Sequence, residues 1–276
     1  MPAFPAEFGM PVRVDLVSAA PRKSERFYRD LLGWEYAKDE SDTARRVARL
    51  SGMPVSVLFG ADGDDRDGAN QWRVNFHVDD VAGVVAKARE LGAEVTQEPV
   101  ELIDGGAMAV IADPSGALVG LLEQAGGQAF LTAGEPGAPV WFELLAGDNA
   151  GFDEVVEFYH ELFGWDITVR TRTDSGSYAI ANENGAPFAG LVAGAGYTGW
   201  IAYLGVLSVD QAVKRTQELG GEVIVGVQDT EFGPLATIAD PAGATTVLCE
   251  VPPPPEEELR ESDPLEGIDL SMFKQG

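Results

Sequence analysis

Cysteine and basic residues are scarce in this chain, and long apolar runs are missing. The single cysteine, Cys249, leaves no intramolecular disulfide and no thiolate metal cluster, and it reads as a buried strand thiol. Lysine and arginine total 19 against 45 aspartates and glutamates, a formal net charge of −26. Such a charge argues against polyanionic partners, so neither nucleic acid nor an anionic membrane surface is expected. No apolar run reaches the roughly 18 residues of a membrane span. The opening MPAFPAEFGMPVRV lacks the basic start and apolar stretch of a signal peptide, so a cytoplasmic protein is expected. What remains is globular in composition, 45% hydrophobic and 23% charged. With 276 residues the chain has room for two domains, each with its own core.

What the chain does have, it has twice. FYRDLLGWEY at Phe27–Tyr36 returns as FYHELFGWDI at Phe158–Ile167. RELGAEV at Arg89–Val95 returns as QELGGEV at Gln217–Val223, and DPSGA at Asp113–Ala117 as DPAGA at Asp240–Ala244. The spacing between copies is nearly constant, so the repeating unit is about half the chain, longer than any solenoid repeat. The expected layout is a first domain over 10–124, a Gly/Ala/Pro-rich linker over 125–139, a second domain over 140–251 and a Pro/Glu-rich tail over 252–276.

Within each half the pattern repeats again. PVRVDLV alternates in period two as a strand, and Pro21–Leu32 follows as an amphipathic helix stopped by Gly33. Strands are then expected near Trp34–Lys38, Arg45–Leu50 and Val55–Phe59. WRVNFHV starts a second unit, with a helix over Asp80–Leu91 and three strands after it. The second half repeats both, with helices over Asp153–Phe163 and Val209–Leu219. The fold class is therefore α+β, four βαβββ units in two domains. Each DPxG is a tight turn before a unit's last strand.

Alternation assigns the strand faces. Val12, Val14 and Leu16 should face the helices, leaving Arg13 and Asp15 on the other side. Val74, Phe76 and Val78 should do likewise, leaving Arg73, Asn75 and His77. In the second half Trp141 and Glu143 share a face, as do Ile201 and Tyr203 on a later strand, and Val247 and Cys249 on the last. That surface is aromatic and apolar with one carboxylate and one phenol, the character of a small-molecule pocket. Two readings stand for several of these residues. Asp15 and Arg73 are a binding pair or an inert ion pair. His77 is a catalytic base or a hydrogen-bonded strand histidine. Trp141 and Tyr203 stack on a ligand or simply pack. Glu143, a carboxylate in apolar surroundings, must pair, protonate or work. His160 falls on an exposed helix face, and the FY and GW residues read as core.

Four βαβββ units carrying FY…LGW, a helix ending in LG and a DPxG turn resemble the vicinal oxygen chelate superfamily, which includes glyoxalase I, bleomycin-resistance proteins and extradiol dioxygenases. The likeness spans most of residues 10–250 and is strongest to fused two-domain actinobacterial glyoxalase-like proteins. It implies curved mixed sheets around clefts with helices outside. It also implies three metal-ligand positions, on the first, fifth and eighth strands. Those positions are Asp15, Arg73 and Gly120 in the first half and Glu143, Ile201 and Val247 in the second. Neither set retains more than one donor, so no metal and no other cofactor is expected.

Two functions follow. The first is a metal-independent binder of an apolar or aromatic small molecule, serving resistance or sequestration as the bleomycin-resistance branch does. Arg13, Arg73, Asn75, Trp141, Ile201, Tyr203 and Val247 would contact the ligand. The second is a lyase or isomerase acting on a small carbonyl compound, with Glu143 or Asp15 as base and His77 among the catalytic groups. Either works as a monomer or a homodimer.

Overall fold

The computed structural model describes residues 7–38, 45–61, 70–102, 105–124, 134–194 and 196–253. Residues 125–133 of the expected linker and 254–276 of the expected tail lie outside the described residues. The first half runs β1 (Pro11–Ser18), α1 (Pro21–Leu32), β2 (Glu35–Lys38), β3 (Arg45–Leu50), β4 (Met53–Gly60), β5 (Gln71–His77), α2 (Val81–Glu90), β6 (Glu94–Glu101), β7 (Gly106–Ala112) and β8 (Leu118–Gln124). The second half runs β9 (Pro139–Ala146), α3 (Phe152–Phe163), β10 (Asp166–Thr173), β11 (Gly176–Glu183), β12 (Ala186–Ala193), β13 (Thr198–Val206), α4 (Val209–Glu218), β14 (Glu222–Thr230), β15 (Gly233–Ala239) and β16 (Thr245–Glu250). Two mixed eight-stranded sheets result, ordered β2-β3-β4-β1-β5-β8-β7-β6 and β10-β11-β12-β9-β13-β16-β15-β14. The α+β architecture with tandem units is as the repeats predict.

Local signals set the helix ends. Pro21 occupies the first turn of α1, and Gly33 closes it in the left-handed region at φ 75°. Asp80 caps α2 by accepting from the Gly83 amide, and Ser208 caps α4 by accepting from the Gln211 amide.

The two sheets meet on their helix-bearing sides. β5 lies against β13, α1 packs on α4 and α2 on α3, so one hydrophobic core runs through both halves. Phe76 of the first half sits among Phe163, Trp165 and Trp200 of the second, at ring distances of 5.5, 5.4 and 5.1 Å. The repeated motifs are the fasteners of this junction. Asp113 uses Oδ1 to close its own DPSG turn, accepting from the Ser115 and Ala117 amides, and offers Oδ2 to the hydroxyl of Tyr159 at 2.7 Å. The Tyr159 oxygen in turn accepts from the Trp200 indole at 2.8 Å. Burial pushes the Asp113 carboxyl up, and the Ser115 and Tyr159 hydrogen bonds oppose that rise.

The GW tryptophans also reach across. Trp165 donates to the carbonyl of Gly9 at 3.0 Å, and Trp34 to that of Gly137 at 2.6 Å. Each thereby holds the segment that leads into the opposite half's first strand. Gly9 and Gly137 have φ of 78° and 87°, and a β-carbon at either would stand 2.8 Å from a Phe163 or Leu32 atom. The junction is not fully symmetric. Tyr28, the counterpart of Tyr159, accepts from Trp72 at 3.3 Å, but Oδ2 of the counterpart Asp240 is buried without a partner.

One face assignment needs correction. Val12 does not join the helix-side core. A bulge between Pro11 and Arg13 makes it the extra residue in the β1–β5 ladder, and it packs with Met108, Val110 and Leu122 in a separate cluster.

The asymmetry makes a prediction. Tyr159→Phe leaves an Asp113 oxygen and the Trp200 indole unsatisfied in a buried setting and should cost about 2–3 kcal/mol. Tyr28→Phe removes a longer hydrogen bond near Asp240, whose Oδ2 is already without a partner, and should cost about 1 kcal/mol. Urea denaturation of the two variants checks the order.

Candidate functional site

With the helices sandwiched, the opposite face of each sheet lies clear of the junction, and the two faces differ in chemistry. In the first half, Asp15 on β1 lies opposite Arg73 on β5. Arg13 binds Asp15 through two hydrogen bonds of 2.7 and 3.0 Å, and Arg73 adds a third at 3.2 Å. Asp15 is fully buried, and the two arginine side chains are only 11% and 13% exposed. Burial alone would push the Asp15 carboxyl up. The charges and hydrogen bonds of Arg13 and Arg73 outweigh it and hold the carboxyl below its usual value. Asn75 is buried beside them and donates to the Arg13 carbonyl at 3.2 Å. It fits because position 120 on β8 is glycine, where a β-carbon would stand 1.9 Å from the Asn75 oxygen.

His77 stands apart from this cluster at the end of β5. It is buried, with Nε2 3.4 Å from Asp79 and Nδ1 unpaired.

In the second half, β9 places Glu143 where β1 places Asp15, but the neighbours are different. Its ladder partners are Ile201 on β13 and Gly190 on β12. No cation among the described residues reaches it; the Tyr203 hydroxyl donates to Oε2 at 2.6 Å. Burial raises the Glu143 carboxyl, and the Tyr203 hydrogen bond works against the rise. Tyr203 itself is pushed far up, by burial first and then by the Glu143 charge. Gly190 is a spatial requirement, since a β-carbon there would stand 2.9 Å from Glu143 Oε1 and 3.1 Å from the Tyr178 ring.

Glu143, Trp141 and Tyr203 line one cavity of about 500 Å³ together with Tyr178 and Ile180 of β11 and Phe232 of the β14–β15 turn. Pro187, Leu235 and Cys249 complete the apolar wall. Cys249 is thus a partly buried lining residue, on the pocket face that alternation assigns it and not the fully buried strand thiol of the composition reading, because β16 presents that face to the cavity. Ile201 and Val247 share the face but lie outside the lining. Two other grooves, of about 510 and 440 Å³, follow the helix seams and are lined by charged surface groups such as Lys214, Arg215 and Lys87. They lack the apolar enclosure of a ligand site.

The structure therefore gathers Arg13, Asp15, Arg73 and Asn75 in one buried cluster and Trp141, Glu143 and Tyr203 around one cavity. It does not join Asp15 or His77 to Glu143. Sequence reasoning missed Tyr178, Ile180 and Phe232. Alternation along SYAIAN marks the first two as sharing a face, and an aromatic in the turn EFGP marks the third.

The donor sets do not fit a divalent metal. Both Asp15 oxygens are engaged by guanidinium groups, and Glu143 is flanked by Ile201 and Gly190. Among the described residues no group of three or more His, Cys, Asp or Glu side chains could hold an ion. No helix among them is long and apolar enough to cross a membrane.

Comparison with known proteins gives a consistent picture. A family model described as a glyoxalase-like domain matches residues 12–122 and again 145–249. An anthracycline biosynthesis protein, DnrV, of Streptomyces peucetius is 28% identical over 88% of this chain and 94% of its own length. A putative glyoxylase, CFP32, of Mycobacterium tuberculosis is 27% identical over 90% of this chain and 97% of its own. Among solved structures, the Mn(II)-bound glyoxalase of Novosphingobium aromaticivorans superposes with a TM-score of 0.59 at 18% identity, covering 90% of this chain and 83% of that one. The 2,2',3-trihydroxybiphenyl 1,2-dioxygenase of Sphingomonas wittichii gives 0.58 at 16%, covering 90% and 91%. At such identities the structural likeness speaks for the fold alone.

The first cleft carries a testable pH dependence. Asp15→Asn leaves two largely buried arginines without their counter-charge and should cost about 3 kcal/mol at pH 7. A carboxyl held low in the fold stabilises fully above its unfolded pKa of about 3.9 and loses that contribution as pH falls through the folded value. The stability gap between wild type and Asp15→Asn should therefore narrow below about pH 4. Thermal melts across an acid series check this.

Proposed function

Because the chain belongs to the glyoxalase-like domain family, we propose that it works as a metal-independent member. On this reading it binds an apolar or aromatic small molecule in the second-half cleft, for sequestration or resistance. The observation that carries the reading is the cavity itself. Its volume of about 500 Å³ suits a small organic molecule, its wall is apolar and aromatic, and its polar groups converge at one point, Glu143 with Tyr203. The first cleft, by contrast, has an arginine–aspartate cluster at the equivalent point. The relatives' names range from anthracycline biosynthesis to putative glyoxylase, which supports small organic molecules as the class and nothing narrower. Among the described residues the second cleft is lined from 134–251, so the proposed binding asks for no second subunit.

One observation favours a second reading, a lyase or isomerase acting on a small carbonyl compound. Glu143 has a carboxyl raised by burial and, among the described residues, no cation to stabilise its charge, which is how a general base is tuned toward neutral pH. Tyr203, 2.6 Å away, is placed to return a proton. Asp15 serves this role less well, since its charge is already stabilised by two arginines.

Glu143→Gln separates the two readings. Under the binding reading, Trp141 emission quenched by an aromatic ligand library gives a shifted affinity in the variant, and a panel of small carbonyl compounds is turned over by neither protein. Turnover by the wild type that falls about a hundredfold or more in Glu143→Gln establishes the enzyme reading instead. Trp141→Ala should weaken ligand binding about tenfold, as loss of one stacking contact does, with native mass spectrometry as the readout.

A further inference from the structure

The second-half cleft contains a carboxylate among aromatic rings, and this combination narrows the ligand. We propose that the cleft selects an organic cation, a ring system bearing a protonated or quaternary amine, with Glu143 as its counter-ion and Trp141, Tyr178, Tyr203 and Phe232 as the rings that face it. The proposal rests on the binding reading above and specifies its ligand.

Charge comes first. The lining holds two acidic side chains, Glu143 and Glu250, and no Lys, Arg or His among the described residues. Glu250 is engaged elsewhere, since its Oε2 accepts the Val209 amide at the start of α4 at 3.0 Å. Glu143 has one oxygen, Oε2, bound by Tyr203 and its other oxygen beside Gly190, with no ion-pair partner. A half-buried carboxylate of this kind gains most from a ligand that brings the missing positive charge. An anionic ligand would meet Glu143 and Glu250 with no cation in the lining to offset them. The equivalent carboxylate in the first half shows the same demand met from within the chain, by Arg13 and Arg73.

The walls point the same way. Four aromatic side chains line the space around one carboxylate. Ring faces attract ammonium groups through their quadrupoles, and the attraction is strongest where water is displaced. Phe232 is 68% exposed on the β14–β15 turn, so a large apolar ring stands at the mouth with solvent on one side. The net charge of −26 adds a long-range field that draws cations toward the protein and turns anions away.

The test uses two probes of the same shape and different charge, benzyltrimethylammonium and its uncharged carbon isostere neopentylbenzene. Quenching of Trp141 emission, referenced to Trp141→Phe, reports binding to the intact protein. The cation should bind about tenfold or more tightly than the isostere. Glu143→Gln, which keeps the side-chain shape and a hydrogen-bond acceptor for Tyr203, should erase most of that preference by weakening the cation far more than the isostere. Rising ionic strength should weaken the cation and spare the isostere. Equal affinities, or a preference that survives Glu143→Gln, overturn the cation assignment while binding as such stands. The binding reading fails separately if no member of a broad aromatic library, charged or neutral, perturbs Trp141.

Discussion

The exchange of hydrogen bonds between the halves governs the rest of this structure. A βαβββ pair buries one side of its sheet under two helices, and here the helices of each pair also need the other pair. Tyr159 on α3 satisfies the Asp113 turn of the opposite half, and Trp165 and Trp34 secure the strands that enter it. These groups sit in a continuous apolar core, where an unpaired polar atom is costly, so the partners hold one another in place. The consequence is geometric. The helix-bearing sides are used up in the junction, and each half is left with its other face clear of helices.

The two clefts then diverge through the neighbours of one strand position. Asp15 and Glu143 occupy corresponding places on β1 and β9. The first has an arginine two residues before it and another across the ladder; the second has Ile201 and Gly190. A charge surrounded by guanidinium groups is a stabilised anion that occupies its own cleft. A charge with only a phenol beside it remains under-compensated. Duplication kept the framework and freed the two sites to change separately.

Much of this was legible in the sequence. Repeats of FY, GW and DPxG mark the two halves, and period-two alternation put Trp141, Glu143 and Tyr203 on one face, where the structure has them. The bulge at Val12 takes that residue out of the alternation, while Val14 and Leu16 beyond it keep their helix-side faces, and nothing in PVRVDLV announces it. Tyr178 and Phe232 come from strands and turns distant in the chain, and only the pairing order of the sheet brings them beside Glu143. The FY and GW residues read correctly as core. Their role in the junction depends on which half faces which, and a repeat unit does not encode that in any one copy.

The proposed function turns on the metal-ligand positions that the superfamily resemblance implies being taken over, by an ion pair in one half and by a carboxylate–phenol pair in an apolar pocket in the other. Metal content by inductively coupled plasma mass spectrometry, on untagged protein purified without chelators, tests it most directly. The account predicts less than about a tenth of an equivalent of any transition metal. Near-stoichiometric zinc, manganese, nickel or iron would contradict it and return Asp15 or Glu143 to the role of a ligand.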